Sequence, residues 1–395
     1  MIRVSLVDVV RLCSELVKIR SENPPGYTDE VISYLQEVCT SIGIDTQILK
    51  KGRKWNLLSK KVNNRFLLCG HVDVVPALDT SWTHPPFSGM ISESSVFGRG
   101  STDMKGGCAA LLSALSQVKD GGHEPPVDVA FVCDEEGNGD FGMEYLIANG
   151  HLHPKYCLIA EPTPPLSPVI GEKGVVRLHL TFSGDPGHSS LHPVMGRSAI
   201  SEALKSLTLF EEIHSLTWPE NPLVHEVIQN TTDSLSTLLS ISKNQAATML
   251  SRVSYNPGII SGGERINIIA QNCEMDIDMR IPWGCDLDTL LQKVHSSLQN
   301  CVVDVIDKVG PTLSSPGKLC RLVCDGIESV HGKKALPGVT QAASDARHLR
   351  EIGAEVVNYG PGDLSLLHAV NESVPVRMLH DCRDVYVHLL THMEP

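Results

Sequence analysis

Apolar positions along the chain recur with two periods, and the change from one to the other marks its organisation. From residue 5 to 19, Leu6, Val9, Val10, Leu12, Leu16, Val17 and Ile19 fall at helical spacing, and Ser21-Glu22-Asn23-Pro24-Pro25-Gly26 then breaks the helix. The spacing predicts a second amphipathic helix over 28–42. Beyond it come short, nearly continuous apolar runs at 66–69, 127–133 and 157–160, with a helix over 108–118. Strands without polar alternation, separated by helices, predict an α/β domain whose mostly parallel sheet is covered by helices on both faces.

Near Gly171 the pattern changes. Residues 175–182 and 274–281 alternate apolar with polar, as half-exposed antiparallel strands do. Helical stretches over 197–213 and 286–299 and a further strand over 301–309 fit a βαββαβ order, with one of its four strands not assigned a range, as a small α+β unit inserted into the larger domain. The expected division is therefore 1–173 and 313–395 for the large domain and 174–312 for the insert, with a returning buried strand over 354–359. The Ser/Thr-rich stretch 229–248 reads as a surface elaboration.

Charge narrows the partners. The 395 residues carry 33 basic and 46 acidic side chains, a formal net charge of −13, so there is no basic surplus to displace phosphate counterions and nucleic acid is not expected. No apolar run approaches the ~20 residues of a membrane span. The first ten residues, with one basic side chain and no small-residue cleavage site after it, do not read as a secretory leader. The twelve cysteines are scattered; Cys69, Cys108, Cys133 and Cys157 lie inside apolar stretches, and Cys320 and Cys324 lack a matching second pair for a structural zinc site. A soluble, cytoplasmic protein is expected.

Three of the apolar strand candidates end in metal-type ligands. Residues 66–70 lead into His71-Val72-Asp73, 129–133 into Asp134-Glu135-Glu136, and 157–160 into Glu161-Pro162-Thr163. Ligands of open α/β sheets bind beyond the carboxyl ends of the strands, so these termini should share one crevice, where imidazole and carboxylates suit a borderline divalent metal. A fourth element is Gly98-Arg99-Gly100-Ser101-Thr102-Asp103-Met104-Lys105-Gly106-Gly107, whose glycines hold one acid in a tight loop. Its carboxylate can bridge two cations, which together polarise a carbonyl and acidify water. The loop lacks the Gly-Lys-Ser/Thr ending of a phosphate cradle, and an acid at its centre would repel phosphate. His71 and Asp73 project to one side of an extended chain, so Asp73 is expected to accept the second imidazole N–H and fix the tautomer.

These residues resemble a family, the zinc aminoacylase/carboxypeptidase group that contains acetylornithine deacetylase and succinyl-diaminopimelate desuccinylase. The resemblance rests on Gly70-His71-Val72-Asp73-Val74-Val75-Pro76, Trp82 with Pro85-Pro86-Phe87, the Gly98–Gly107 loop, Asp134-Glu135-Glu136, Glu161-Pro162-Thr163, Gly187-His188-Ser189-Ser190 and His368-Ala369-Val370-Asn371-Glu372. It spans essentially the whole chain in order. It implies two zinc ions per subunit (cobalt or manganese being alternatives), one held by His71 and Glu161, the other by Glu136 and His368, with Asp103 bridging. It further implies Glu135 as general base, Asp73 as orienter, and His188 reaching the partner subunit's site to stabilise an oxyanion, so that the insert is both lid and homodimer interface. Gly187-His188-Ser189 is also readable as a plain strand-to-helix turn, the lesser of the two readings.

The substrate side is less defined. Arg280 matches a position where such enzymes present a guanidinium to a substrate carboxylate, and it is equally readable as a surface ion pair. Asn267 and Lys173 are further candidates for that pocket, as is Ser344 in Gln341-Ala342-Ala343-Ser344-Asp345-Ala346-Arg347, where Ala343 departs from the threonine of the desuccinylase run. The expected activity is removal of a short acyl group, acetyl or succinyl in type, from an N-acyl amino acid or related small molecule. A metallo-dipeptidase or carboxypeptidase and a catalytically silent metal-binding homologue are the alternatives. The ligand set with its base is complete, which favours an enzyme.

Overall fold

The computed structural model describes residues 6–60, 65–78, 81–137 and 139–393. The start of the N-terminal stretch, residues 1–5, lies outside the described residues; the first helix is Val9–Lys18, capped by the Asp8 carboxylate, which accepts from the Arg11 amide.

The large sheet runs in the order Thr46–Lys51, Lys54–Ser59, Asp128–Val132, Phe66–His71, Tyr156–Ile159, Glu355–Asn358, Val169–Glu172, Thr312–Leu313, with Gly338–Thr340 also paired to Val169–Glu172. Its centre is parallel: Phe66–His71 pairs in parallel with both Asp128–Val132 and Tyr156–Ile159, and Tyr156–Ile159 with Glu355–Asn358. Towards the edges the pairing turns antiparallel. Phe66–His71 and Asp128–Val132 are buried at every position, which requires cover on both faces and explains why their sequences lack alternation. Helices Gly106–Asp120, Lys318–His331 and Val376–His392 pack together, while Asp29–Ser41 lies against Lys54–Ser59 and Ala346–Glu351 against Glu355–Asn358. Among the described residues no helix is long and apolar enough to cross a membrane, and all twelve cysteines are free thiols.

The second sheet is antiparallel throughout, in the order Ser254–Gly262, Asn272–Ile281, Gly174–Ser183, Cys301–Val309. Leu178, Leu180, Phe182, Met275, Ile277 and Met279 point to one face, where helices Ala199–Ser215 and Leu287–Ser297 close a separate apolar core. The other face carries ion pairs such as Arg177 with Asp278 and Asp307. The strand Ser254–Gly262 supplies the remaining strand of the βαββαβ order, to which the pattern assigned no range: its residues from Asn256 onward are exposed and it forms the sheet edge, so no burial imposes an alternating pattern.

The stretch 229–248 differs from its expectation as a surface elaboration. Residues 222–251 form helices Pro222–Leu238 and Lys243–Ser251, whose Val224, Val227, Ile228, Leu235, Ala246 and Leu250 join the core of the large domain. The hydroxyls that make the stretch look polar are satisfied within the helix: Thr231 and Thr232 donate to the carbonyls of Val227 and Ile228.

Candidate metal centre

Register builds the site. His71 pairs with Val132 and Cys69 with Ile159, so three adjacent parallel strands end level, and His71, the Asp134-Glu135-Glu136 turn and Glu161 emerge in one crevice. The fourth component follows Gly100, which adopts φ 83° at the entry to the turn Ser101–Lys105 and so relies on the freedom of glycine. The helix after it starts against the sheet: a β-carbon on Gly107 would stand 2.1 Å from the Ala160 carbonyl oxygen. The fifth arrives through a three-stranded sheet, Met90–Ile91, Ser95–Phe97 and Ser373–Pro375, which brings His368, at φ 58°, over the Asp103 turn.

Asp103 stands between two imidazoles. Its Oδ1 is 3.0 Å from His71 Nε2 and its Oδ2 is 3.3 Å from His368 Nε2. Glu161 Oε1 lies 3.7 Å and Glu135 Oε2 4.0 Å from His71 Nε2, while Glu136 Oε1 is 3.2 Å from His368 Nε2. Three overlapping groups place their ligand atoms within 4.8 Å of one another: His71, Asp103 and Glu161; His71, Glu135 and Glu136; Asp103, Glu136 and His368.

Four carboxylates confined in this way repel one another. Burial pushes the Glu135 and Glu161 carboxyls well above the usual range, and neighbouring carboxylates add to it; Glu136 is raised for the same reason. His71, which burial would push down, is raised well above its ordinary value by Asp103, Glu161 and Glu135, and hydrogen bonds to Asp103 and Glu136 lift His368 to about 10. Asp103 is held low against its burial by the two histidines. An oxygen-rich anionic pocket with two imidazoles is a donor set that divalent cations neutralise, and the residues present fit that role.

His71 Nδ1 lies 2.9 Å from the carbonyl oxygen of Asp73. A carbonyl only accepts, so Nδ1 carries a proton there, while Nε2 donates to the ionised Asp103; a cation in the cluster would take the place of that second proton and meet the Nε2 lone pair. The expectation that the Asp73 carboxylate would take this proton is thus corrected: the carboxylate is 3.7 Å from Nδ1 and instead accepts from the Glu135 amide at 3.2 Å, the Glu136 amide at 3.0 Å and Asn23 Nδ2 at 2.8 Å. Asp73 therefore fixes the turn that presents both glutamates.

Of the substrate-side candidates, only Ser344 lines the cleft of about 320 Å³ beside the cluster, and its hydroxyl donates to Glu172 at 2.9 Å. Lys173 is buried and donates to the carbonyls of Met249 and Arg252 and to Ser254 Oγ, ending the helix Lys243–Ser251. Arg280 grips Asp278 with Nε at 2.8 Å and Nη2 at 3.2 Å, the ion-pair reading. Asn267 is exposed and accepts the Ser189 amide at its carbonyl. His188 is exposed on the insert, its Nδ1 2.8 Å from Ser190 Oγ; it does not line the cleft of its own chain.

Residues absent from the sequence-derived set complete the frame. Glu372 is fully buried, pairs with Arg99 at 2.6 Å and accepts from the amides of Thr102 and Asp103, while Arg99 Nη2 donates to the His368 carbonyl. Asn23 joins Asp73 to Asp134, which Lys54 also pairs. The only local signals were a helix break at Asn23 and membership of two motifs for Arg99 and Glu372.

A family model described as Peptidase family M20/M25/M40 matches residues 67–392. The chain is 27% identical to a succinyl-diaminopimelate desuccinylase of Psychromonas ingrahamii, over 97% of this chain and 97% of that protein. It is also 27% identical to an acetylornithine deacetylase of Photorhabdus laumondii, over 91% of this chain and 88% of that one. The fold is similar to that of an M20 family metallo-carboxypeptidase from Sulfolobus solfataricus, with a TM-score of 0.79 and 19% identity, covering 97% of this chain and 98% of that one.

Proposed function

The chain belongs to peptidase family M20/M25/M40, and from that premise we propose that it is a dinuclear metal-dependent amidohydrolase that removes an acyl group from an N-acyl amino acid or related amine. The observation that carries this reading is the Asp103 carboxylate, with one oxygen on His71 and the other on His368. His71 and Glu161 would hold one cation, Glu136 and His368 the other, with Asp103 shared, and zinc is the metal favoured by this nitrogen–oxygen set. When bound, such a pair supplies Lewis acidity at the scissile carbonyl and lowers the pKa of water.

The chain's own groups do the rest. Glu135, at the rim of the cluster and not needed for either cation, takes the proton of the attacking water and returns it to the leaving amine. Asp73 holds the Glu135 and Glu136 amides, so base and ligand keep their relative positions. His188, exposed on the insert, serves the site of a second subunit by donating to the developing oxyanion, which makes the working form a homodimer. A cytoplasmic location and a small-molecule substrate complete the reading.

The test is metal analysis of purified protein together with hydrolysis of N-acetyl, N-succinyl, N-formyl and dipeptide substrates. Two equivalents of divalent metal are expected, and Glu135→Ala should lose about 10²–10⁴-fold in kcat while keeping both metals. Full rate in that variant would refute the mechanism.

A further inference from the structure

Beside the carboxylate–imidazole cluster, one side of the cleft is apolar, while Thr163, Thr340, Gln341, Ser344 and Asn358 also contribute to its lining. Leu235 at the end of the helix Pro222–Leu238, Leu238 and Leu239 form one side, and Val339, Ala342 and Ala343 continue it. The wall is fixed in place: the Val339 amide donates to Thr231 Oγ1 at 2.8 Å, and Asn230 Nδ2 donates to the Pro337 carbonyl at 3.0 Å. Among the described residues lining the cleft there is no lysine or arginine. The two cationic residues singled out for the substrate side are engaged elsewhere: Arg280 with Asp278, and Lys173 with two carbonyls and a hydroxyl.

We propose that this cleft receives an uncharged apolar part of the substrate, an aliphatic or aromatic chain, and that Leu235, Leu238 and Leu239 select it; the proposal rests on the amidohydrolase reading above. A carboxylate on the substrate chain, such as that of a succinyl group, would lose its water against the leucine side of the cleft, where no lysine or arginine lines the surface to replace it. A methylene chain or ring loses nothing polar and gains contact with the leucines. The selecting residues come from a segment whose composition is rich in Ser and Thr, because those hydroxyls bond to their own helix and leave the leucines to face the cleft.

The experiment compares kcat/KM for acetyl, succinyl and octanoyl groups placed in turn on phenylalanine and on ornithine, using wild type, Leu239→Lys and Leu238→Lys. Both positions are only half-buried, so each tolerates a charge better than the buried Leu235. The best substrate is expected to carry an apolar chain and to exceed both acetyl- and succinyl-ornithine at least tenfold. Each lysine variant should shrink that ratio at least fivefold, chiefly by favouring the succinyl compounds. Preference for acetyl- or succinyl-ornithine, or a ratio unchanged in both variants, would overturn the proposal. If no amide is cleaved, the amidohydrolase reading fails on its own. Calorimetric binding of the same compounds to zinc-loaded protein then decides the cleft: tighter binding of the octanoyl compound by at least tenfold upholds it, and equal or weaker binding overturns it.

Discussion

Glu372 is the side chain whose loss should be felt most widely outside the ligand set. One carboxylate does three things: Oε2 meets Arg99 Nη1 at 2.6 Å, and Oε1 accepts from the Thr102 amide at 2.9 Å and the Asp103 amide at 3.1 Å. Arg99 in turn holds the His368 carbonyl at 3.1 Å. Glu372→Gln keeps an oxygen for the two amides and removes the charge, leaving a guanidinium that is 4% exposed without its counterion. Breaking a buried pair from one side costs about 3–5 kcal/mol, so about 3 kcal/mol is expected for the isosteric change. Glu372→Ala also strands the two amides, at about 1 kcal/mol or more each, and should reach about 5 kcal/mol. An exposed pair such as Lys18 with Glu15 should cost under about 1 kcal/mol by comparison. Urea unfolding measures the stability, and competition with a chromophoric chelator measures metal affinity, expected to fall about 10–100-fold because the Asp103 turn and His368 both lose their anchor. Removing both charges, in Arg99→Met with Glu372→Leu, should recover part of the stability. A Glu372→Gln protein within about 1 kcal/mol of wild type, with unchanged metal binding, would refute the reasoning.

Three further outcomes follow from the same structure. Asp73→Asn presents an amide to the Glu135 and Glu136 N–H groups and should weaken metal binding about 10–100-fold with little change in fold, as read by chelator competition and circular dichroism. Burial, with Arg280 adding to it, holds the Lys173 ammonium down at about 7 against an ordinary 10.5; between those values the unfolded chain binds more protons than the folded one, so this group makes stability rise with pH across that window. Comparing urea midpoints of wild type and Lys173→Met at pH 7.5 and 9.5 isolates it: wild type should gain relative to the variant on going up, and parallel shifts would contradict the assignment. Mixing inactive His188→Ala subunits with inactive Glu135→Ala subunits should restore measurable activity if His188 serves the partner's site, and no recovery on exchange would place its function within its own chain.

The sequence by itself determined the elements that burial shapes. A parallel strand buried on both faces must be apolar throughout, and a strand of a one-sided sheet must alternate, so Phe66–His71, Asp128–Val132, Gly174–Ser183 and Asn272–Ile281 were legible from periodicity, as was the convergence of His71, Glu135, Glu136 and Glu161 at strand ends. The edge strand Ser254–Gly262 was not, because exposure leaves no period to read. Tertiary structure alone decided what depends on distance between remote segments. Whether Asp73 gives His71 its carbonyl or its carboxylate, whether Lys173 faces a pocket or caps a helix, and whether Arg99 finds Glu372 are settled by a few ångströms of backbone placement. A residue's type and spacing fix which bonds it is able to make; only the packed chain determines which partner is close enough to make them.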